Sequence, residues 1–152
     1  QAQALTHYRK VEAVQPENLN IALQIGQCLT RLENYAEALA YFYKVEYLEK
    51  NPNNARRAIA WCSFLTGKYE ESLKYYKQLT SDPSVKAEDW MNAGHVFRVC
   101  GNMQEAIKHY QKAHEFFPNH SEFIRMFLKD QAVLQAQGIS SEDIHIQLDL
   151  LI

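Results

Sequence analysis

Residues 87–120 read AEDWMNAGHVFRVCGNMQEAIKHYQKAHEFFPNH, and this stretch decides the fold. Its first half carries Trp90, Ala93, Gly94 and Phe97 at helical spacing. Its second half carries Ala106, Tyr110 and Ala113, and Pro118 then bars further helix. Stepping outward by 34 residues finds the same types again. Tyr8, Phe42, Tyr76 and Tyr110 form one series, and Ala4, Ala38, Ser72 and Ala106 precede them by one helical turn. Val11, Val45, Leu79 and Ala113 form a third. Ile25, Ile59, Ala93 and Phe127 form a fourth, followed by Gly26, Ala60, Gly94 and Leu128. Small residues let two helix backbones approach, and large ones fill the gaps between turns. Each unit has an apolar stripe that only its neighbours can cover, so stability must come from stacking.

On these residues the chain resembles the tetratricopeptide repeat, a 34-residue unit of two antiparallel helices. The resemblance covers residues 1 to about 136 and has departures: Ala22 and Arg56 stand where the tryptophan is expected, Ser63 replaces the aromatic, and Pro52 comes two residues late. Phe64, beside Ser63, is a candidate to fill the vacated space. The resemblance implies an all-α, right-handed α-solenoid of antiparallel helix pairs. Residues 1–152 then form a single domain, with 1–18 the second helix of a partial repeat and repeats at 19–52, 53–86 and 87–120. Residues 121–136 are the first helix of a further repeat, and 140–152 a closing helix.

Helices are expected at roughly 2–15, 19–32, 35–50, 54–66, 69–81, 86–99, 103–116, 120–136 and 141–151. Gly67 and Gly101 mark turns inside their units, and Glu33-Asn34 holds the same place in the first, where asparagine tolerates the left-handed conformation. Pro16, Pro52, Pro83 and Pro118 mark the passage between units. Ser140 to Asp143 has capping-box spacing, and Ile144, Leu148 and Leu151 follow at helical spacing. This last helix either covers the apolar end of the stack or is a truncated second helix.

Composition limits the function classes. Sixteen basic against eighteen acidic residues give a formal charge of −2, without the one-sign field that draws in nucleic acid or an anionic membrane. Five glycines and four prolines among many aromatics favour packed helices. Cys28, Cys62 and Cys100 lie far apart with no metal-ligand spacing and read as buried free thiols. They fit a reducing, cytoplasmic compartment and leave export open. There is no run of about twenty apolar residues and no signal-peptide pattern at the start. Beginning at Gln1, the chain reads as a processed or excised piece of something longer. Leu5, Tyr8 and Val11 lie on a second helix without its first, so the expectation is that further residues precede them or that this edge self-associates.

No catalytic constellation, phosphate loop or metal-ligand set is legible, so the chain is read as a non-enzyme without cofactor or metal. His109 and His114 are five apart and point away from each other, as do His95 and Cys100. Glu71 with Lys74 and Glu105 with Lys108 have the spacing of solvated helix pairs. Tyr41, Tyr75 and His109 recur with the period, either as an aromatic binding strip or as packing between helices.

In the family resembled, the first helix of each unit lines a concave groove. Carried over by position, this selects Leu23, Gln24, Gln27, Arg31, Asn54, Arg57, Trp61, Phe64 and Leu65. It also selects Glu88, Met91, Asn92, His95, Arg98, Glu122, Arg125, Met126 and Lys129. Five of these are basic and two acidic, which favours a protein partner whose segment combines carboxylates with apolar anchors. Trp61 with Arg57, Met91 and His95 would form the centre, unless Trp61 packs inward because Arg56 has taken the usual tryptophan position. Some relatives grip the acidic tail of heat-shock chaperones with a clamp, of which only Arg57 and Asn92 find counterparts here. The function expected is a scaffold or adaptor module, the alternative a structural, self-associating segment of a longer solenoid.

Overall fold

A computed structural model describes residues 1–151, with the side chains of 146–148, 150 and 151 left aside. The described residues form ten α-helices and no strand, an all-α helical-repeat fold of the α-solenoid class. Two compact units divide the chain, residues 1–68 and 69–152.

The first unit holds α1 (Ala2–Val14), α2 (Leu19–Arg31), α3 (Tyr35–Leu48) and α4 (Asn53–Leu65). α2 packs against α1 and α3, and α3 against α4. Ile25, Leu29, Ala38 and Phe42 are buried where α2 meets α3. Gly26 is required there, because a Cβ on it would run into the Phe42 ring. On α1 the predicted stripe Leu5, Tyr8 and Val11 is half-buried, and no residue of that helix is fully buried.

The second unit holds α5 (Tyr69–Thr80), α6 (Ala87–Val99), α7 (Met103–Phe116), α8 (His120–Lys129), α9 (Gln131–Ala136) and α10 (Ser141–Leu151). α6 and α7 make the closest pair in this unit, with α5 on α6 and α8 on α7. A Cβ on Gly94 would lie 2.8 Å from two ring carbons of Tyr110, repeating in α6 and α7 the contact made in α2 and α3. Phe123, Phe127 and Leu134 complete the core. Ile144 of α10 is buried, and that helix meets α7 and α9. The Ser140 hydroxyl accepts from the Asp143 backbone N–H at 3.1 Å, half of the expected capping box. The side chains of Leu148 and Leu151 lie outside the described residues.

Three turns share one chemistry at the repeat interval. Residues 33, 67 and 101 take positive φ of 61°, 77° and 83°. After each, a backbone N–H reaches five residues back: Asn34 to Leu29 at 2.8 Å, Lys68 to Ser63 at 2.7 Å, Asn102 to Phe97 at 2.9 Å. This is the Schellman closure, which satisfies carbonyls left over at a helix end. In the first turn it is Glu33, not Asn34, that takes the left-handed conformation. Asn34 instead starts α3, where its side-chain amide donates to Glu37 at 2.9 Å.

Two further expectations are corrected. The helix foreseen over 120–136 is two helices that meet at Asp130 (φ −89°, ψ 4°). There the carboxylate is held by His95, and the Asp130 N–H turns to the Phe127 carbonyl at 3.3 Å. Of the three cysteines only Cys28 and Cys62 are buried; Cys100 caps the C-terminus of α6 and is exposed.

Gly94→Ala forces the Tyr110 ring from its seat and is expected to cost about 1–3 kcal/mol in chemical denaturation, with Gly94→Leu at or above the top of that range. Glu33→Gly relieves a left-handed residue that costs roughly 1–2 kcal/mol, partly offset by the freedom glycine adds to the unfolded chain. It is expected to raise stability by about 0.5–1 kcal/mol, and a loss would show that Glu33 is not strained.

Candidate interaction surface

In the first unit, the expected binding residues lie on α2 and α4. Leu23 is half-buried against a cluster of Ala22, Val45 and Ala55. Gln24 is exposed, Gln27 half-buried, and exposed Arg31 donates to the Gln1 side-chain oxygen at 3.3 Å. On α4, Asn54 is exposed and accepts from Arg57 Nη1 at 3.2 Å, which steadies that guanidinium, itself half-buried. Trp61 and Leu65 are half-buried. Phe64, expected in the groove, is fully buried, as is Ser63 beside it. Trp61 leans on Phe64 with ring centroids 5.3 Å apart. The indole is thus backed by the core and still reaches solvent. Arg56, at the usual tryptophan position, forms an ion pair with Glu46 at 3.5 Å.

In the second unit, the expected residues lie on α6 and α8. Glu88, Arg125 and Lys129 are exposed, while Asn92, Arg98, Glu122 and Met126 are half-buried. Met91 and His95 are core residues instead, at 1% and 0% exposure, and cannot touch a partner. Arg125 is held by Glu122 of its own helix, at 2.7 Å and 3.3 Å to one carboxylate oxygen. That hydrogen bond holds the Glu122 carboxyl below the usual carboxylate range. The pair takes one cation and one carboxylate out of the expected set together, so the basic surplus is unchanged.

His95 is the centre of a buried polar chain. Its Nε2 lies 3.0 Å from an Asp130 carboxylate oxygen and its Nδ1 2.7 Å from the Tyr110 hydroxyl. A carboxylate only accepts, so Nε2 carries the hydrogen, and in that tautomer of the neutral imidazole Nδ1 accepts from the Tyr110 O–H. Tyr110 and Phe127 pack edge-on against the imidazole at 5.3 Å and 5.5 Å. Burial pushes the Tyr110 hydroxyl far above its ordinary range, opposed by Arg98 and reinforced by Asp130. No sequence pattern signals this chain, whose members are separated by 15 and 35 residues.

The aromatic strip resolves into packing. Tyr75 is buried, and the half-buried Tyr41 donates its hydroxyl to Glu12 at 3.1 Å. His109 donates Nδ1–H to the Glu105 carbonyl at 2.8 Å, with its ring against Phe97 at 4.8 Å and Trp90 at 5.6 Å. His114 and His120, which the sequence did not pair, meet at 2.9 Å across the turn after α7, and His114 packs on Phe123. Among the described residues no group of three or more His, Cys, Asp or Glu side chains could hold a metal ion. Nor is any described helix long and apolar enough to cross a membrane.

Two family models match the chain, both for the tetratricopeptide repeat, one over residues 2–55 and the other over 87–120. The crystal structure of MamA is similar at 17% identity with a TM-score of 0.70, over 97% of this chain and 84% of that one. YrrB, described as a TPR protein with an unusual peptide-binding site, is similar at 24% identity with a TM-score of 0.69, over 80% of this chain and 63% of its own. A tetratricopeptide repeat protein from Parabacteroides merdae matches at 19% identity with a TM-score of 0.68, over 97% of this chain and 62% of that one. No curated protein sequence matches.

The buried tyrosine sets an alkaline limit. A group whose folded pKa is raised stabilises fully below its unfolded value, here 10.0, and its contribution is lost as pH rises toward the folded value. Stability is expected to fall above pH 10 by about 1.4 kcal/mol per pH unit for this one proton. Denaturation of Tyr110→Phe against pH should show a slope shallower by that amount, and an unchanged slope would remove Tyr110 from this role.

Proposed function

The chain belongs to the tetratricopeptide repeat family, and on that premise we propose that it is an interaction module that holds a segment of a partner protein rather than a catalyst. The repeats are assigned to 19–52, 53–86 and 87–120, with 1–18 and 121–136 as single helices of flanking repeats and 140–152 closing the domain. Stacked helix pairs expose extended surfaces suited to a peptide or a helix. The observation that carries the reading is Trp61, an indole backed by Phe64 and still half-exposed, on the same helix as an Arg57 steadied by Asn54. An aromatic and an arginine with restricted side chains lose little freedom on binding and are typical hot-spot types.

Two contact sets are proposed, each within its own unit: Leu23, Gln27, Arg57 and Trp61 in the first, and Asn92, Arg98, Arg125 and Lys129 in the second. A partner of the first set supplies apolar anchors and a carboxylate for Arg57, and a partner of the second set supplies carboxylates for its cations. YrrB's described peptide-binding site makes a peptide a reasonable first probe. A second reading, self-association through α1, is favoured by the half-exposed stripe of Leu5, Tyr8 and Val11, and sedimentation over a range of concentrations separates the two.

Selection of a displayed random peptide library on the parent chain tests the first reading. The peptides retained are expected to pair apolar residues with Asp or Glu. Trp61→Ala should weaken them about 30-fold, equivalent to about 2 kcal/mol, with the fold retained. Arg125→Ala, already paired in its own helix, should change affinity less than about fivefold. Peptides that bind the folded Trp61→Ala variant as tightly as the parent would end the proposal.

A further inference from the structure

A cleft of about 510 Å³ opens in the second unit among α5, α6 and α7, with Leu73, Ala93, Phe97 and the His109 ring as its apolar lining. It lies on helices other than those that carry Trp61. The first unit has the equivalent place, between α1 and α3, where the opening is about 250 Å³. Two bonds close it there: Arg9 donates to Glu37 at 2.7 Å, and Tyr41 donates to Glu12 at 3.1 Å. Both tie α1 to α3.

Two repeat lengths on, the four places are held by Lys77, Glu105, His109 and Thr80. Neither bond forms again. Glu105 pairs with Lys108 of its own helix at 3.2 Å. Thr80 turns its hydroxyl to the Tyr76 carbonyl at 2.8 Å, and His109 spends Nδ1–H on the Glu105 carbonyl at 2.8 Å. Glu105, Thr80 and His109 are thus each bonded within their own helix, and among the described residues Lys77 makes no ion pair across to α7. The cleft therefore stays open, large enough for a ligand group and walled by aromatic and aliphatic surface.

The rim selects the occupant. Lys74 and Lys77 both border the cleft, and among the described residues neither has an ion-pair partner. Of the two rim carboxylates, Glu105 is engaged by Lys108, which leaves Glu70 one turn before Lys74. Lys77 is the cation farthest from Glu70 along α5. We propose that this cleft is a docking recess for an aromatic side chain of a partner protein segment, with a neighbouring carboxylate of that segment set on Lys77 and Lys74. The ring lies against Phe97, His109 and Leu73, and the carboxylate completes the charge pairing that Glu37 supplies to Arg9 in the first unit.

Indole-3-propionate, an aromatic ring with a nearby carboxylate, is the probe, and its neutral amide the control. In two-dimensional amide NMR, saturable shifts are expected at Leu73, Lys77, Phe97 and His109, with the amide two- to fivefold weaker, the size of one exposed ion pair. The paired substitution Thr80→Glu with His109→Tyr rebuilds the closing bond of the first unit and should abolish the shifts while the melting temperature holds or rises. Should that variant fail to fold, Lys77→Gln alone decides, since it should weaken the acid and narrow its advantage over the amide. Trp61→Ala should change nothing, which separates this recess from the surface on α2 and α4. No saturable shift up to roughly 10 mM, shifts centred on Trp61, or equal binding by the closed or Lys77→Gln variant would overturn the proposal. So would a concentration-dependent dimer that the closing pair abolishes, because the recess would then belong to a second copy.

Discussion

A glycine on the first helix of a pair lies under an aromatic ring on the second, Gly26 under Phe42 and Gly94 under Tyr110. A methyl group at either glycine would meet ring carbons within van der Waals contact, so only hydrogen allows the two backbones so close. The ring fixes the register of each pair to within a turn, and the register decides which face of each helix is left over. Period, turn positions and accessible residues all depend on that contact. The left-handed residues at 33 and 101 follow from it, because a pair held this closely leaves a connection of only a few residues between its helices.

The second pair differs from the first by one oxygen. Phe42 needs no partner, whereas the Tyr110 hydroxyl is buried and an unsatisfied buried hydroxyl costs about 1–3 kcal/mol. His95 supplies the acceptor and must itself be satisfied, and Asp130 does so from the end of α8. The helix break at Asp130 is thus linked to a polar atom in α7. The helical pattern at 120–136 was legible because its apolar residues keep the period through the break. The break was not, because it depends on a carboxylate that reaches across the fold.

The same distinction governs the expected binding residues. Positions set by close packing were readable from the 34-residue series, down to the glycines. Positions assigned to a surface by family average were not: Phe64 turned inward beside Ser63, Met91 filled core, and His95 was drawn in by Tyr110. In each case the deciding neighbour lies on another turn or another helix and has no sequence spacing of its own. Cys100 erred the other way, being at the cap of a helix where a thiol meets solvent. What remains accessible, Trp61 above all, does so because its inner edge is already supported.

A repeat protein that keeps its packing series fixed can change only what lies between them, and the two clefts show how little change is needed. Arg, Glu, Tyr and Glu at positions 9, 37, 41 and 12 tie two helices together; Lys, Glu, His and Thr at the matching places leave them apart. The glutamate common to both sets bonds across the cleft in one and along its own helix in the other, because in the second a lysine stands three residues on at 108, where the first has Ala40. Shortening Tyr to His and Glu to Thr removes the other bridge without touching an apolar core position. Neither set disturbs the glycine–aromatic contact beneath it, so the fold is indifferent to which is present. Exposed bonds of this size contribute little to stability, about 1 kcal/mol or less each. Their presence or absence instead decides whether apolar surface is covered by the chain itself or left for another molecule, and that choice can vary from repeat to repeat while the architecture stays the same.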